Sequence, residues 1–201
     1  ASQASAVSIT VGFDGDPGSF VTMSDQMAGL GCSSAGDLGQ LSCSGSNLDN
    51  GGWTLESWNL YSDPDPTINN TVSVTNNTLA TQSFSVLVTL PTAPAFGPPS
   101  LIRGSIQGGA TDNNGDGVTL SSSGAASFYE ALVDGASVRT LLDPAQSFST
   151  GLAFDSVSVG LVSFGIPVQE VIAVATNASI GINLRFDLTA GDSATFSSVF
   201  N

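Results

Sequence analysis

Apolar and polar residues alternate along much of this chain, most plainly over residues 69–90. Val72 and Val74 are flanked by Ser73 and Thr75, and after Asn76-Asn77-Thr78 the pattern resumes with Phe84, Val86, Val88 and Leu90. A period of two marks a strand whose successive side chains face opposite sides. The Asn-rich connection predicts that the two runs form an antiparallel hairpin at the centre of the fold. Residues 53–61 predict an aromatic-rich strand with a bulge where parity slips between Leu55 and Trp58. Asp134-Gly135 between residues 128–133 and 136–142 predicts a type I′ hairpin turn. Other strands are expected at 101–107 and 118–122, at Val157, Val159 and Leu161, over 180–188, and through Ala194, Phe196 and Phe200. Residues 168–174 fit either a buried strand or one helical segment. Residues 24–52, rich in Gly and Ser, read as an irregular insertion. With about ten or more strands, residues 1–201 are expected to form a single all-β domain. The expected architecture is an antiparallel β-sandwich of jelly-roll or immunoglobulin-like type.

Composition adds a habitat and removes some partners. Seventeen acidic residues face three arginines, with no lysine and no histidine, for a net charge of −14. Nucleic acid is excluded as a partner, because binding phosphates needs clustered basic side chains. Only 10% of residues are charged while 41% are hydrophobic, so hydroxyls and amides carry the solvation of a chain apolar enough to fold. Cys32 and Cys43 are the two cysteines. With no histidine they are too few for a zinc site, and a disulfide pinning the irregular loop is expected. That bond implies an oxidising compartment. No apolar run reaches the 18 residues of a membrane span. The expectation is a secreted protein, extracellular or at a cell surface, with no membrane insertion.

The segments WTLESWNLYSDPDP, VTNNTLATQSFSVLVTLP, GSIQGGATDNNGDGVTL, YEALVDG and FDLTAGDSATFSSVFN resemble exported bacterial proteins of the PEP-CTERM class, over roughly residues 53–201. The Pro-Glu-Pro motif, membrane segment and basic tail of that class do not occur in this sequence. The resemblance implies export, a surface or matrix location and association with exopolysaccharide in biofilm. It implies no shared catalysis.

Candidate chemistry is sparse. Asp112-Asn113-Asn114-Gly115-Asp116-Gly117 matches the first six places of a calcium loop, with Asp112, Asn114 and Asp116 offering side-chain oxygens and Val118 a backbone carbonyl. The twelfth place is Ser123, so a calcium site must borrow ligands such as Asp63 and Asp65; the alternative is a polar turn. Trp53, Trp58 and Tyr61 form a sugar-stacking platform if exposed, or core if buried. Without histidine or lysine, a glycoside-active carboxylate pair drawn from Glu56, Glu130 and Glu170 is the enzymatic reading, and each also reads as an outward polar position. Asn69, Asn76 and Asn177 begin sequons. Val7, Ile9, Val11 and Phe13 lie on an N-terminal strand without charge, proline or bulge. Residues 1–13 therefore read as an exchangeable strand that completes a neighbouring copy, or as a strand paired at home. The expected role is a non-enzymatic, self-assembling structural protein of a bacterial surface or matrix, a filament or matrix subunit. The alternative is a carbohydrate-binding module of an exopolysaccharide matrix.

Overall fold

The computed structural model describes residues 7–25, 29–36, 40–63, 66–92, 97–176 and 178–201. The first nine strands are β1 (Ser8–Phe13), β2 (Val21–Ser24), β3 (Cys32–Ser34), β4 (Leu41–Asp49), β5 (Trp53–Asp63), β6 (Thr67–Asn76), β7 (Gln82–Pro91), β8 (Ser100–Ile102) and β9 (Gly104–Thr111). They are followed by β10 (Val118–Ser121), β11 (Tyr129–Val133), β12 (Ala136–Leu141), β13 (Ser147–Thr150), β14 (Ser156–Phe164), β15 (Glu170–Ile172), β16 (Ser179–Leu188) and β17 (Ser193–Phe200). One sheet runs β12-β11-β16-β7-β1-β2, with β10 joining β16 and β13 joining β10. The second runs β14-β9-β17-β6-β5-β4-β3, and β8 with β15 forms a separate ribbon. Every pairing among the described residues is antiparallel, and the fold is a β-sandwich.

The core lies between the two sheets. Ile180, Ile182, Leu184, Phe186 and Leu188 of β16 are buried against Val72, Val74, Phe196 and their neighbours from the other sheet. Phe186 and Phe196 meet across the sheets with centroids 4.8 Å apart, and Phe84 stacks on Phe186 at 5.4 Å. Each such buried side chain contributes about 1.5–3 kcal/mol by leaving water. The Tyr129 hydroxyl donates to the Val199 carbonyl at 2.8 Å, tying β11 to β17 across the core.

Three expectations hold in detail. β11 and β12 form the hairpin at Asp134-Gly135, where both residues have positive φ (51° and 79°) as a type I′ turn demands. The β5 register shifts between Leu55 and Ser57, which is the bulge. Cys32 and Cys43 are bonded, with S–S 2.06 Å.

Four others need correction. The predicted central hairpin is an arch: β6 pairs with β5 and β17, while β7 pairs with β1 and β16 in the opposite sheet. Asn76 pins the arch, its buried side-chain amide donating to the carbonyls of Ala80, Leu188 and Thr189 at 2.9–3.0 Å. Residues 24–52 are not an irregular insertion, since they hold β3 and the nine-residue β4, with Cys32 directly opposite Cys43. Residues 101–107 divide at Arg103 between β8 and β9, in different sheets. Leu161 is exposed because β14 bulges between Val159 and Val162.

The exchangeable-strand reading is also corrected. β1 sits between β2 and β7, with Val7, Ile9 and Val11 buried and Phe13 edge-on to Phe84 at 5.1 Å. A 3-10 turn at Pro17–Ser19 leads back into β2, which is the local partner of β1. β17, the last strand, is likewise enclosed by β6 and β9. Residues 1–6, including the start of the proposed donor segment, lie outside the described residues.

Candidate functional site

The Asp112 loop connects β9 to β10 at the end of the sandwich where β6 finishes. Asp112 is buried, and its carboxylate is the loop's hub. One oxygen accepts from the N–H groups of Asn114 (3.1 Å) and Gly115 (2.7 Å), the other from Gly117 (3.1 Å) and Phe154 (2.7 Å). A carboxylate offers about four acceptor positions, so these donors fill it. Burial pushes the Asp112 pKa up, but the four N–H donors outweigh that and hold it below the ordinary aspartate range.

Asp112 and Asp116 do come together, and a third carboxylate joins them: oxygens of Asp112, Asp116 and Asp192 lie within 4.8 Å of one another. The pairing of Thr111 with Ser193 delivers Asp192. Asp192 lies in the Ala190-Gly191-Asp192 turn, and no local pattern links positions eighty residues apart. Asp192 is fully buried. Burial, reinforced by the charges of Asp112 and Asp116, pushes its pKa up against the donors from Thr189 and Asn113. Asn114 spends its side chain on the loop, donating to the Ala190 carbonyl and accepting from the Asp116 N–H. Val118 opens β10 opposite Thr150 with its side chain buried. Asp63 stands at the far end of β5, so it is not a borrowed ligand, and Asp65 lies outside the described residues.

Trp53, Trp58 and Tyr61 do not make a sugar platform. Trp53 is 0% and Trp58 6% exposed, and their indole N–H groups donate to the carbonyls of Ser19 and Leu30 at 3.1 Å. Tyr61 is half-buried on the opposite, outer side of β5. The three glutamates are dispersed as well: Glu56 on β5, Glu130 on β11 accepting from Asn183, and Glu170 on β15 paired with Arg139 of β12. Of the sequon residues, Asn76 is buried, Asn69 is exposed, and Asn177 lies outside the described residues.

Two surfaces went unnoticed in the sequence. The first is apolar. In the β8–β15 ribbon, Leu101 and Val171 are a cross-strand pair, 54% and 64% exposed, with exposed Ile166, Val168 and Val174 nearby in sequence. Ile102 and Ile172 take the buried side, so the ribbon is apolar on both faces. At the opposite end, around the Asp112 loop, Leu79, Leu152 and Phe154 are exposed, and the Phe154 ring covers Gly115.

The second surface is the outer face of the seven-stranded sheet. Ser158, Gly109, Thr195, Ser73, Ser57 and Ser46 form one row across six strands. Adjacent rows bring Thr111 beside Ser156 and Thr71 beside Ser197, their hydroxyls hydrogen-bonded at 3.0 Å. The four neighbouring strands β14, β9, β17 and β6 contain no charged residue.

No protein-family model matches this chain, and no curated protein is similar enough to it to count as a match.

Proposed function

We propose that this chain is a non-enzymatic, exported structural protein of a bacterial surface or matrix, and that its copies stack head to tail. One observation carries the reading: exposed apolar side chains occur at both ends of the sandwich, Leu101 and Val171 at one, Leu79 and Leu152 at the other. Patches of that kind mark interaction surfaces. Two different patches at opposite ends make a heterologous contact, which propagates as a filament unless rotation closes it. Asp112, Asp116 and Asp192 cluster at the second of these ends. The net charge of −14 opposes stacking, so salt or calcium promotes it, by screening or by binding at the exposed Asp116. The disulfide suits an oxidising exterior, and among the described residues no helix is long and apolar enough to cross a membrane.

The test is light scattering after size exclusion, in calcium and in chelator. Wild type assembles in calcium. Leu101→Ser with Val171→Ser blocks one end, and Leu79→Ser with Leu152→Ser blocks the other. Each double variant stays monomeric, and their mixture forms pairs and nothing longer. A wild type that stays monomeric at high concentration in calcium defeats the proposal.

A further inference from the structure

Beside the β8–β15 ribbon, the end of the sandwich holds a cavity of about 600 Å³. Its apolar walls come from the ribbon and both sheets: Ile102 of β8, Val133 of β11, Ile180 of β16 and Phe200 of β17, each buried. Val133 and Ile180 are a cross-strand pair and so form one continuous wall. Two polar groups interrupt the lining. Arg103, between β8 and β9, is held by backbone bonds to Asn201 at 2.8 and 3.0 Å, and its Nε–H donates to the Asn201 side-chain oxygen at 3.0 Å. Its two terminal guanidinium nitrogens make no hydrogen bond or ion pair among the described residues. Thr176 is 4% exposed, and its hydroxyl has no partner among the described residues. Two residues on, the Ala178 carbonyl accepts from the N–H of Thr92, whose hydroxyl is also buried without a partner.

A buried hydroxyl without a partner is destabilising, so its place in a cavity wall points to a ligand that fills the cavity and bonds to it. Arg103 defines the head group of that ligand. With Nε held by Asn201, the terminal nitrogens remain as a fork, which matches the two oxygens of a carboxylate. One arginine neutralises one negative charge, and the net charge of −14 repels a doubly charged phosphate more than a carboxylate. Asp63, the other charged residue of the lining, does not cancel Arg103. β17 and β6 stand between their strands, and the Asp63 carboxylate accepts from the Gln40 side chain at 2.8 Å. We infer that the cavity binds a carboxylate with an apolar body, its head on Arg103 and its body against Val133, Ile180 and Phe200. The Thr176 hydroxyl thereby gains the partner it lacks. A free acid and the C-terminus of an apolar peptide carry this same chemistry. The cavity shares Leu101 with the stacking surface, but binding does not rest on stacking.

An NMR titration of the isotope-labelled full chain tests it, in chelator and at a concentration where the chain is a monomer. The probes are octanoate and a short apolar peptide with a free C-terminus. At least one of them binds and shifts the amide signals of Arg103, Thr176 and Ile180 while leaving those of the Asp112 loop in place. Which one binds separates a free acid from a peptide terminus. Octanamide and the amidated peptide, which lack the carboxylate, do not bind. Arg103→Gln weakens binding about tenfold, the effect of about 1.4 kcal/mol. Thr176→Val keeps the side-chain shape, removes the hydroxyl and weakens binding about fivefold, as loss of one hydrogen bond does. Should that variant melt early, Arg103→Gln alone carries the comparison, because Arg103 is exposed. Leu79→Ser with Leu152→Ser, blocked for stacking at the other end, binds as wild type does, so the failure of stacking and the failure of this inference are read separately. The inference is overturned if neither carboxylate shifts the cavity signals, if octanamide binds as well as octanoate, or if Arg103→Gln binds normally. Tighter binding of octylamine also overturns it, and would assign the cavity to a cation at Asp63.

Discussion

β16 and β4 are both long strands with neighbours on either side, yet they build their buried sides in opposite ways. β16 brings its own core in Ile180, Ile182, Leu184, Phe186 and Leu188, every one buried. β4 brings almost none: its sequence is LSCSGSNLD, and opposite Trp58 it offers Gly45. The Trp58 ring lies over that glycine so closely that a Cβ would stand 2.0 Å from it. The apolar mass of the β4 margin therefore comes from its neighbour, and the disulfide to β3 secures what packing does not. A strand can be specified by what it contributes or by what it leaves room for.

Removing residues 1–13 is expected to have the largest effect, because it strips β7 of one neighbour and so undermines the sheet that holds β16. A thermal melt followed by circular dichroism should show no cooperative transition. Survival of a folded variant would return β1 to the role of an exchangeable strand. Phe186→Ala comes next, costing about 3–5 kcal/mol in urea unfolding, since Phe84 and Phe196 lose their common partner. Reducing Cys32–Cys43 should cost about 3 kcal/mol or less, and intact mass should rise by two hydrogens. Its effect belongs to the β3–β4 margin, so hydrogen exchange should speed there and not in β16. Gly45→Ala should cost about 1–3 kcal/mol through the clash with Trp58. If it costs nothing, β4 is not the receptive partner described.

The smallest effect separates both strands from the acid loop. The Asp192 pKa is raised in the fold, so stability rises as pH falls through that value and is diminished above it. The Asp112 pKa is lowered, so its contribution is present above the ordinary aspartate value and is lost as pH falls through the folded one. Stability against pH should therefore pass through a maximum on the acid side of neutrality. Asp192→Asn should flatten its neutral limb, and Asp112→Asn its acid limb.

The acid loop shows how far local reading extends. Asp112, Asn114 and Asp116 were legible because a turn's chemistry lies within a few residues. Asp192 was not, since only the pairing of β9 with β17 brings it there. The hydroxyl-rich outer face of the seven-stranded sheet escaped notice for a related reason. Serine, threonine and glycine on three separate strands are unremarkable one by one, and their shared absence of charge acquires meaning only in the register that sets them side by side.

Alternation by itself determined that this chain is an all-β sandwich, because burying one side of a strand requires a period of two. It also located the hairpin at Asp134-Gly135, where a two-residue turn demands positive φ, and two cysteines without histidine made the disulfide the economical reading. What alternation cannot carry is the identity of the partner strand. β6 and β7 present the same inward pattern whether they lie side by side or face one another across a core. The buried amide of Asn76, joined to the β16–β17 connection, goes with the second arrangement. Trp53 and Trp58 were equally ambiguous, since a ring on a strand serves a core or a surface alike. Tertiary structure decided each case, because which face is inward depends on what the rest of the chain places opposite it.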